Sequence, residues 1–234
     1  LPKARANEEE ALTIYQQLGN KAGQDFAFSE LGTLLFKMGD SRGARQDFEK
    51  ALAMQKAAGE AQKLAVTMLS LSELSIVEGH PQEAEASARA ALEQFAKEDE
   101  FDDEATGYVL LARALAEQSK PSEALAAVDR ALTRSKKSQA EDLRLQIAIA
   151  VDRIRGHVGS VRERDHAVES LYDAIRDSER MGNRASEFDA RLALSEIELK
   201  SGKAEARAQL ATLVQDANAK GFGLIAHEAQ RALQ

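Results

Sequence analysis

The stretch LGTLLFKMGDSRGARQDFEKAL, Leu31 to Leu52, is answered forty residues later by LSELSIVEGHPQEAEASARAAL, Leu71 to Leu92, and again by LARALAEQSKPSEALAAVDRAL, Leu111 to Leu132. Self-similarity at a fixed period of roughly 20 to 50 residues marks a chain that stacks one supersecondary unit many times over. Each unit leaves apolar flanks that only its neighbours can cover. The repeat is carried by particular positions: Ala44, Ala84 and Ala124; Ala11, Ala51, Ala91 and Ala131; Leu12, Leu52, Leu92 and Leu132. Turn signals keep the same time at Gly39-Asp40, Gly79-His80-Pro81 and Ser119-Lys120-Pro121. Pro81 and Pro121 suit the first position of a following helix, where a missing N–H costs nothing.

Each unit therefore reads as two helices joined by a tight turn. In the first, Phe28, Leu31 and Leu35 space as one helical stripe, and Ala44, Phe48, Ala51 and Leu52 as the stripe of the second. Gly32, Ala44 and Ala51 are small where the two helices must cross closely. Composition agrees: only 5% of the chain is aromatic, there are three prolines and no Trp, and Ala and Leu dominate the apolar set. Ala, Leu, Glu, Lys, Gln and Arg are the best helix formers, so the fold expected is all-α.

The pattern resembles the tetratricopeptide repeat. Phe28, Leu31-Gly32, Leu35, Ala44, Phe48 and Ala51 match that family's spacing of large, small and aromatic positions, and Tyr108, Leu111-Ala112, Leu115, Ala124, Val128 and Ala131 match it again. Met68, Leu71-Ser72, Ala84, Ala88 and Ala91 lie in register between them. Family repeats run to about 34 residues, so these units are longer by roughly six. Long repeats of this kind look like the arrays attached to bacterial signalling proteins, including Ser/Thr kinases and transcription activators. The resemblance implies a right-handed α-α superhelix of about twelve antiparallel helices, forming a single solenoid over residues 1–234.

Its expected units are an orphan second helix over 5–18, repeats at 22–60, 61–100, 101–140, 141–183 and 184–221, and a C-terminal capping helix at 223–233. The rhythm loosens past residue 140, where Ala167 arrives three residues late. The orphan helix and the initial Leu1 lead us to expect a cut within or beside another repeat. In the last helix, Ile225, Ala229 and Ala232 share one side, with His227, Glu228 and Arg231 placed on a polar outer surface.

Several motifs point towards chemistry and fail on context. GFGLIA, Gly221 to Ala226, fits a dinucleotide fingerprint, but that needs a preceding strand, and here a helical segment precedes it. HEAQR, from His227, opens like a zincin helix, yet Arg231 replaces the second ligand. KEDEFDDE, Lys97 to Glu104, lacks the alternating ligands and glycine of a calcium loop and reads as an acidic helix start. His157 and His166 stand among Arg153, Arg155, Arg162 and Arg164; that segment reads as a solvated loop or, alternatively, as an anion or phosphopeptide site. No Ser-His-Asp set or carboxylate pair assembles, so no enzyme activity, cofactor or metal is expected. With no cysteine there is no disulfide or thiolate chemistry, which fits a reducing, cytoplasmic setting. A net charge of −8 opposes approach to nucleic acid, and no apolar run of about 18 residues exists to span a bilayer.

In the family, the first helix of each pair lines a concave groove. Carried over, this puts Phe26, Ser29, Glu30, Thr33, Phe36 and Lys37 on the first inner wall, and Val66, Leu69, Ser70, Glu73, Ile76 and Val77 on the second. Thr106, Val109, Leu110, Arg113 and Glu117 form the third, and Arg153 and Glu196 continue the row. Phe36, Leu69, Ile76 and Val109 make this wall more apolar than solvation requires, a surface for an amphipathic helix or an extended peptide. The same residues could instead pack against adjacent turns. Glu73 and Arg113 would be neighbours across units. Ser29, Thr33 and Ser70 stand where some relatives clamp a C-terminal carboxylate with Lys and Asn, so chaperone tails are not expected. The implied function is a protein or peptide scaffold using Phe36, Leu69, Glu73, Ile76, Val109, Arg113 and Arg153; the alternative is a regulatory sensor or self-associating dimerisation module of a signalling protein.

Overall fold

The computed structural model describes residues 1–97 and 100–234. Among these described residues run twelve helices: α1 (Pro2–Gln17), α2 (Lys21–Lys37), α3 (Ser41–Ala58), α4 (Ala61–Val77), α5 (Pro81–Phe95), α6 (Phe101–Glu117), α7 (Pro121–Ser135), α8 (Glu141–Val158), α9 (Val161–Met181), α10 (Arg184–Lys200), α11 (Ala206–Lys220) and α12 (Gly223–Ala232). No strand occurs among the described residues. The chain is an all-α superhelix of stacked hairpins.

The turns are built as the repeat implies. At the end of α2, Gly39 takes a left-handed φ of 87°, and Asp40 N–H donates back to the Leu35 carbonyl at 2.9 Å. Asp40 then caps α3 by accepting from Gly43 N–H at 2.9 Å. Gly79 and Ser119 adopt the same left-handed backbone in the next two units, and Pro81 and Pro121 open α5 and α7. Ser119 has a side chain where this conformation favours glycine.

Small residues sit where the hairpins cross. A Cβ at Gly32 would lie 2.6 Å from the Phe48 ring. Ser72, in the same place one unit on, donates its hydroxyl to the Ala84 carbonyl at 2.8 Å. Ala84, Ala124 and Ala167 are fully buried. Apolar cores follow one another along the stack. One joins α4 to α8 through residues such as Leu111, Val128 and Val151; the next joins α8 to α10 through Leu171 and Ile197; the last joins α10 to α12 through Phe188, Leu210 and Ala229. Each hairpin is covered by the next.

The expected irregularity between 153 and 166 takes a definite form. It is no solvated loop: α8 runs to Val158 and α9 begins at Val161, with Ser160 and Glu163 forming a reciprocal capping box. The three-residue delay of Ala167 is absorbed by a 21-residue α9. Of the acidic run at the start of α6, Glu98 and Asp99 lie outside the described residues, while Asp102, Asp103 and Glu104 occupy the first turn, where the helix dipole favours them. No described helix is long and apolar enough to cross a membrane.

Candidate functional site

The even-numbered helices form the inner layer. In turn, α2 touches α4, α4 touches α6, α6 touches α8, α8 touches α10, and α10 touches α12. The array then closes, because α12 touches α2. The approach at that seam is backbone to backbone: a Cβ on Gly223 would lie 2.0 Å from the Met38 carbonyl oxygen. Leu224 packs there beside Phe36, Phe48 and Leu74.

The inner row of charges follows from the repeat. Glu73 in α4, Arg113 in α6 and Arg153 in α8 stand forty residues apart, so successive inner helices present them side by side. Arg113 donates to Glu73 at 3.3 Å. Arg153 forms a two-pronged pair with Glu196 of α10, donating from Nε and Nη2 at 2.8 Å each. Such a fork uses the planar guanidinium fully. Both arginines also reach Glu228 of α12, Arg153 Nη1 at 3.1 Å and Arg113 Nη2 at 3.8 Å. Lys200 donates to His157 Nδ1 at 2.9 Å, which leaves Nε2–H of His157 to donate to Glu196 at 3.1 Å.

Burial opposes the charge on Glu196, yet Arg153 and His157 outweigh it and hold its carboxyl down at about 2. Glu228 is likewise penalised by burial and is held below its ordinary range by Arg153 and Arg113. The Arg153 guanidinium, although enclosed, is held more firmly protonated by Glu228 and Glu196. Asp189 of α10 opens onto the same space without an ion-pair partner among the described residues. Enclosure, then the charge of Glu228, push its carboxyl up. Its exposed surface faces the hollow, which limits that penalty.

A hollow of about 230 Å³ remains between α4, α6, α8 and α10, with Glu73, Val109, Arg113, Arg153 and Asp189 on its walls. A smaller space of about 150 Å³ lies between α2, α4, α10 and α12. A third, open cleft of about 370 Å³ lies between α2 and α4, beside Phe26, Ser29, Thr33, Lys63, Val66 and Ser70.

The structure thus brings Glu73, Val109, Arg113 and Arg153 to one hollow. Phe36, Leu69, Ile76 and Val109 are only 5%, 5%, 8% and 6% exposed. Their apolar area is spent on neighbouring helices in this closed form, which corrects the picture of an apolar wall left bare. Among the described residues, the large apolar side chains left exposed on the inner helices are Phe26, at 56%, and Val66, at 42%. Glu228 is a second correction: it faces inward and is buried, not on a polar outer surface. It stands six residues after the N-cap Phe222, as Asp189 stands six after the N-cap Asn183. Aligning the helices by their caps would have placed it on the inner face.

The cations around His157 do not converge on an open anion site. Arg153 is paired as above, Arg155 meets Asp129 at 3.1 Å, and Arg164 donates to the Gly156 carbonyl at 3.3 Å. GFGLIA is a helix stop and restart: Gly221 takes a φ of 81° at the end of α11, and α12 follows.

Stacked helical hairpins with an inner and an outer layer define a helical-repeat protein. Residues 27–60 match the tetratricopeptide repeat family model. Two crystal structures of the nearly identical TPR-like repeats of a candidate kinesin light chain from Podosopora anserina, one of them a point variant, share the fold with a TM-score of 0.52 and 18% identity. The alignments cover 83% and 82% of this chain and 95% of each of those chains. No curated protein matches the chain significantly. Residues 27–60 are thus similar to a tetratricopeptide repeat, and the chain shares the solenoid fold of TPR-like repeats. Such repeats in general mediate protein–protein interaction.

Proposed function

We propose that this chain is a non-catalytic scaffold that takes a peptide or a partner domain on its inner face. The observation that carries this is the open cleft between α2 and α4. There Phe26 and Val66 stay exposed beside the hydroxyls of Ser29, Thr33 and Ser70 and the charges of Glu30 and Lys63. Exposed apolar side chains set among polar groups suit an extended peptide, with the apolar pair as anchor and the rim setting register. Arg113, Arg153 and Glu73 lie deeper and orient charged groups that reach the hollow. Peptides selected against the intact chain from a display library test this. Selected peptides should lose at least tenfold in affinity on Phe26→Ser or Val66→Ser and none on Tyr172→Ser, which changes an exposed residue of α9. Indifference to both inner substitutions defeats the reading.

A second reading, a regulatory or self-associating module of a larger cytoplasmic signalling protein, is favoured by the seam between α2 and α12. A ring closed by one short helix has an open counterpart, and a partner that binds one form alone shifts the balance between them.

A further inference from the structure

We propose that the berth of α12 is a second partner site, which takes a helical segment of another protein that sets a carboxylate between Arg113 and Arg153. This deepens the scaffold reading and rests on it. The argument begins with what α12 does. Along the stack it is the next inner helix, with Ile225, Ala226 and Ala229 buried against the core of Phe188, Leu192, Leu210 and Leu213. That apolar seat alone would cap the array. Yet α12 also carries Glu228 into the ring, to arginines 115 and 75 residues earlier in the chain.

A buried carboxylate is costly unless it is paired, so a simple cap gains nothing from one at this position. The arginines do not require it as a sole partner either, since Arg113 holds Glu73 and Arg153 holds Glu196. Glu228 accepts a hydrogen bond from one further Arg153 nitrogen and lies within ion-pair distance of Arg113. That is a recognition geometry for one acidic side chain presented by a helix, and α12 is its resident occupant.

The attachment across the seam is slight and the joint is short. Leu224 and Gly223 meet α2, and only Gly221 and Phe222 separate α12 from α11. Gly221 sits at a φ of 81°; rotation to right-handed helical values would let α11 run straight on and carry α12 out of the ring. The vacated berth fits a helix with apolar residues at the places of Ile225, Ala226 and Ala229 and an acid at the place of Glu228.

The probe is a fluorescent peptide with the sequence of residues 222–234, added to the full chain and to its Gly223→Ala variant. The added methyl group has no room against the Met38 carbonyl, so it pries the seam without touching either arginine. We expect the peptide to bind Gly223→Ala at least tenfold tighter than the intact chain, and its Glu228→Gln version at least tenfold more weakly. The amides of α12 should exchange at least tenfold faster in that variant. Should Gly223→Ala fail to fold, Glu228→Gln in the full chain replaces it and should show the same faster exchange. Unchanged exchange in the folded variants, or peptide binding blind to the acid, would make α12 a fixed cap and overturn the proposal. Dimers formed by exchange of α12 between copies would also overturn it, by naming a different occupant. Phe26→Ser leaves all these readouts unmoved, so failure of the cleft between α2 and α4 is told apart from failure of the berth.

Discussion

Replacing Arg153 with Leu tests the electrostatic centre of the ring. Arg153 makes two hydrogen bonds to Glu196 and one to Glu228, and its loss leaves two enclosed carboxylates without their main counter-charge. For Glu196 alone, a carboxyl held at about 2 against an ordinary 4.5 corresponds to about 3 kcal/mol of stability, at 1.36 kcal/mol per pKa unit. Breaking a buried pair from one side costs a comparable ~3–5 kcal/mol. The sign of the pH dependence follows. The folded-state pKa of Glu196 is depressed, so its contribution is fully present above 4.5 and drains away as pH falls towards 2. Urea denaturation followed by circular dichroism should therefore show Arg153→Leu less stable by about 3 kcal/mol at pH 7, with the gap from the parent narrowing steadily below about pH 4.5. A loss under about 1 kcal/mol, or one that does not change with pH, would show that the fork contributes no more than an exposed pair and refute the reasoning.

Four further substitutions probe the scaffold. Ser119→Gly relieves a left-handed backbone at φ 59° and should raise stability by about 0.5–1 kcal/mol, the strain removed being partly offset by the freedom glycine gains when unfolded; thermal melting checks it. Ala84→Leu forces a large side chain into a crossing where Ser72 already bonds to the Ala84 carbonyl, and should cost about 1–3 kcal/mol in urea titration. Ile76→Glu buries a charge in the core shared by α4 to α8 and should cost about 3–5 kcal/mol, whereas Phe26→Glu, on an exposed residue of the cleft, should change stability by no more than about 0.5 kcal/mol. Equal effects of the last two in the same titration would erase the distinction between packed and open inner positions.

How much could be read in advance depended on what each residue's role required of its neighbours. Local roles were readable: a glycine after a helix, a proline at its first turn and a small residue at a crossing each answer to a constraint within one unit. The forty-residue spacing extended that reading to pairs such as Glu73 and Arg113, because equal steps along the chain become adjacent places on the inner layer. The exposure of Phe36, Leu69, Ile76 and Val109 was not readable in the same way. Whether such a residue lines an open groove or fills a core depends on how sharply the stack curves, and curvature sums small rotations that no single repeat records. Ring closure is a property of that sum. It set Leu224 against the Phe36 cluster and Glu228 between two arginines, although α12 read alone is only a short amphipathic helix. The charge row offered one clue: from α4 to α10 it reads Glu73, Arg113, Arg153, Glu196, so each arginine has a carboxylate on one side and an arginine on the other. Two adjacent guanidiniums facing an enclosed space call for another anion between them, and in this chain the α12 carboxylate supplies it.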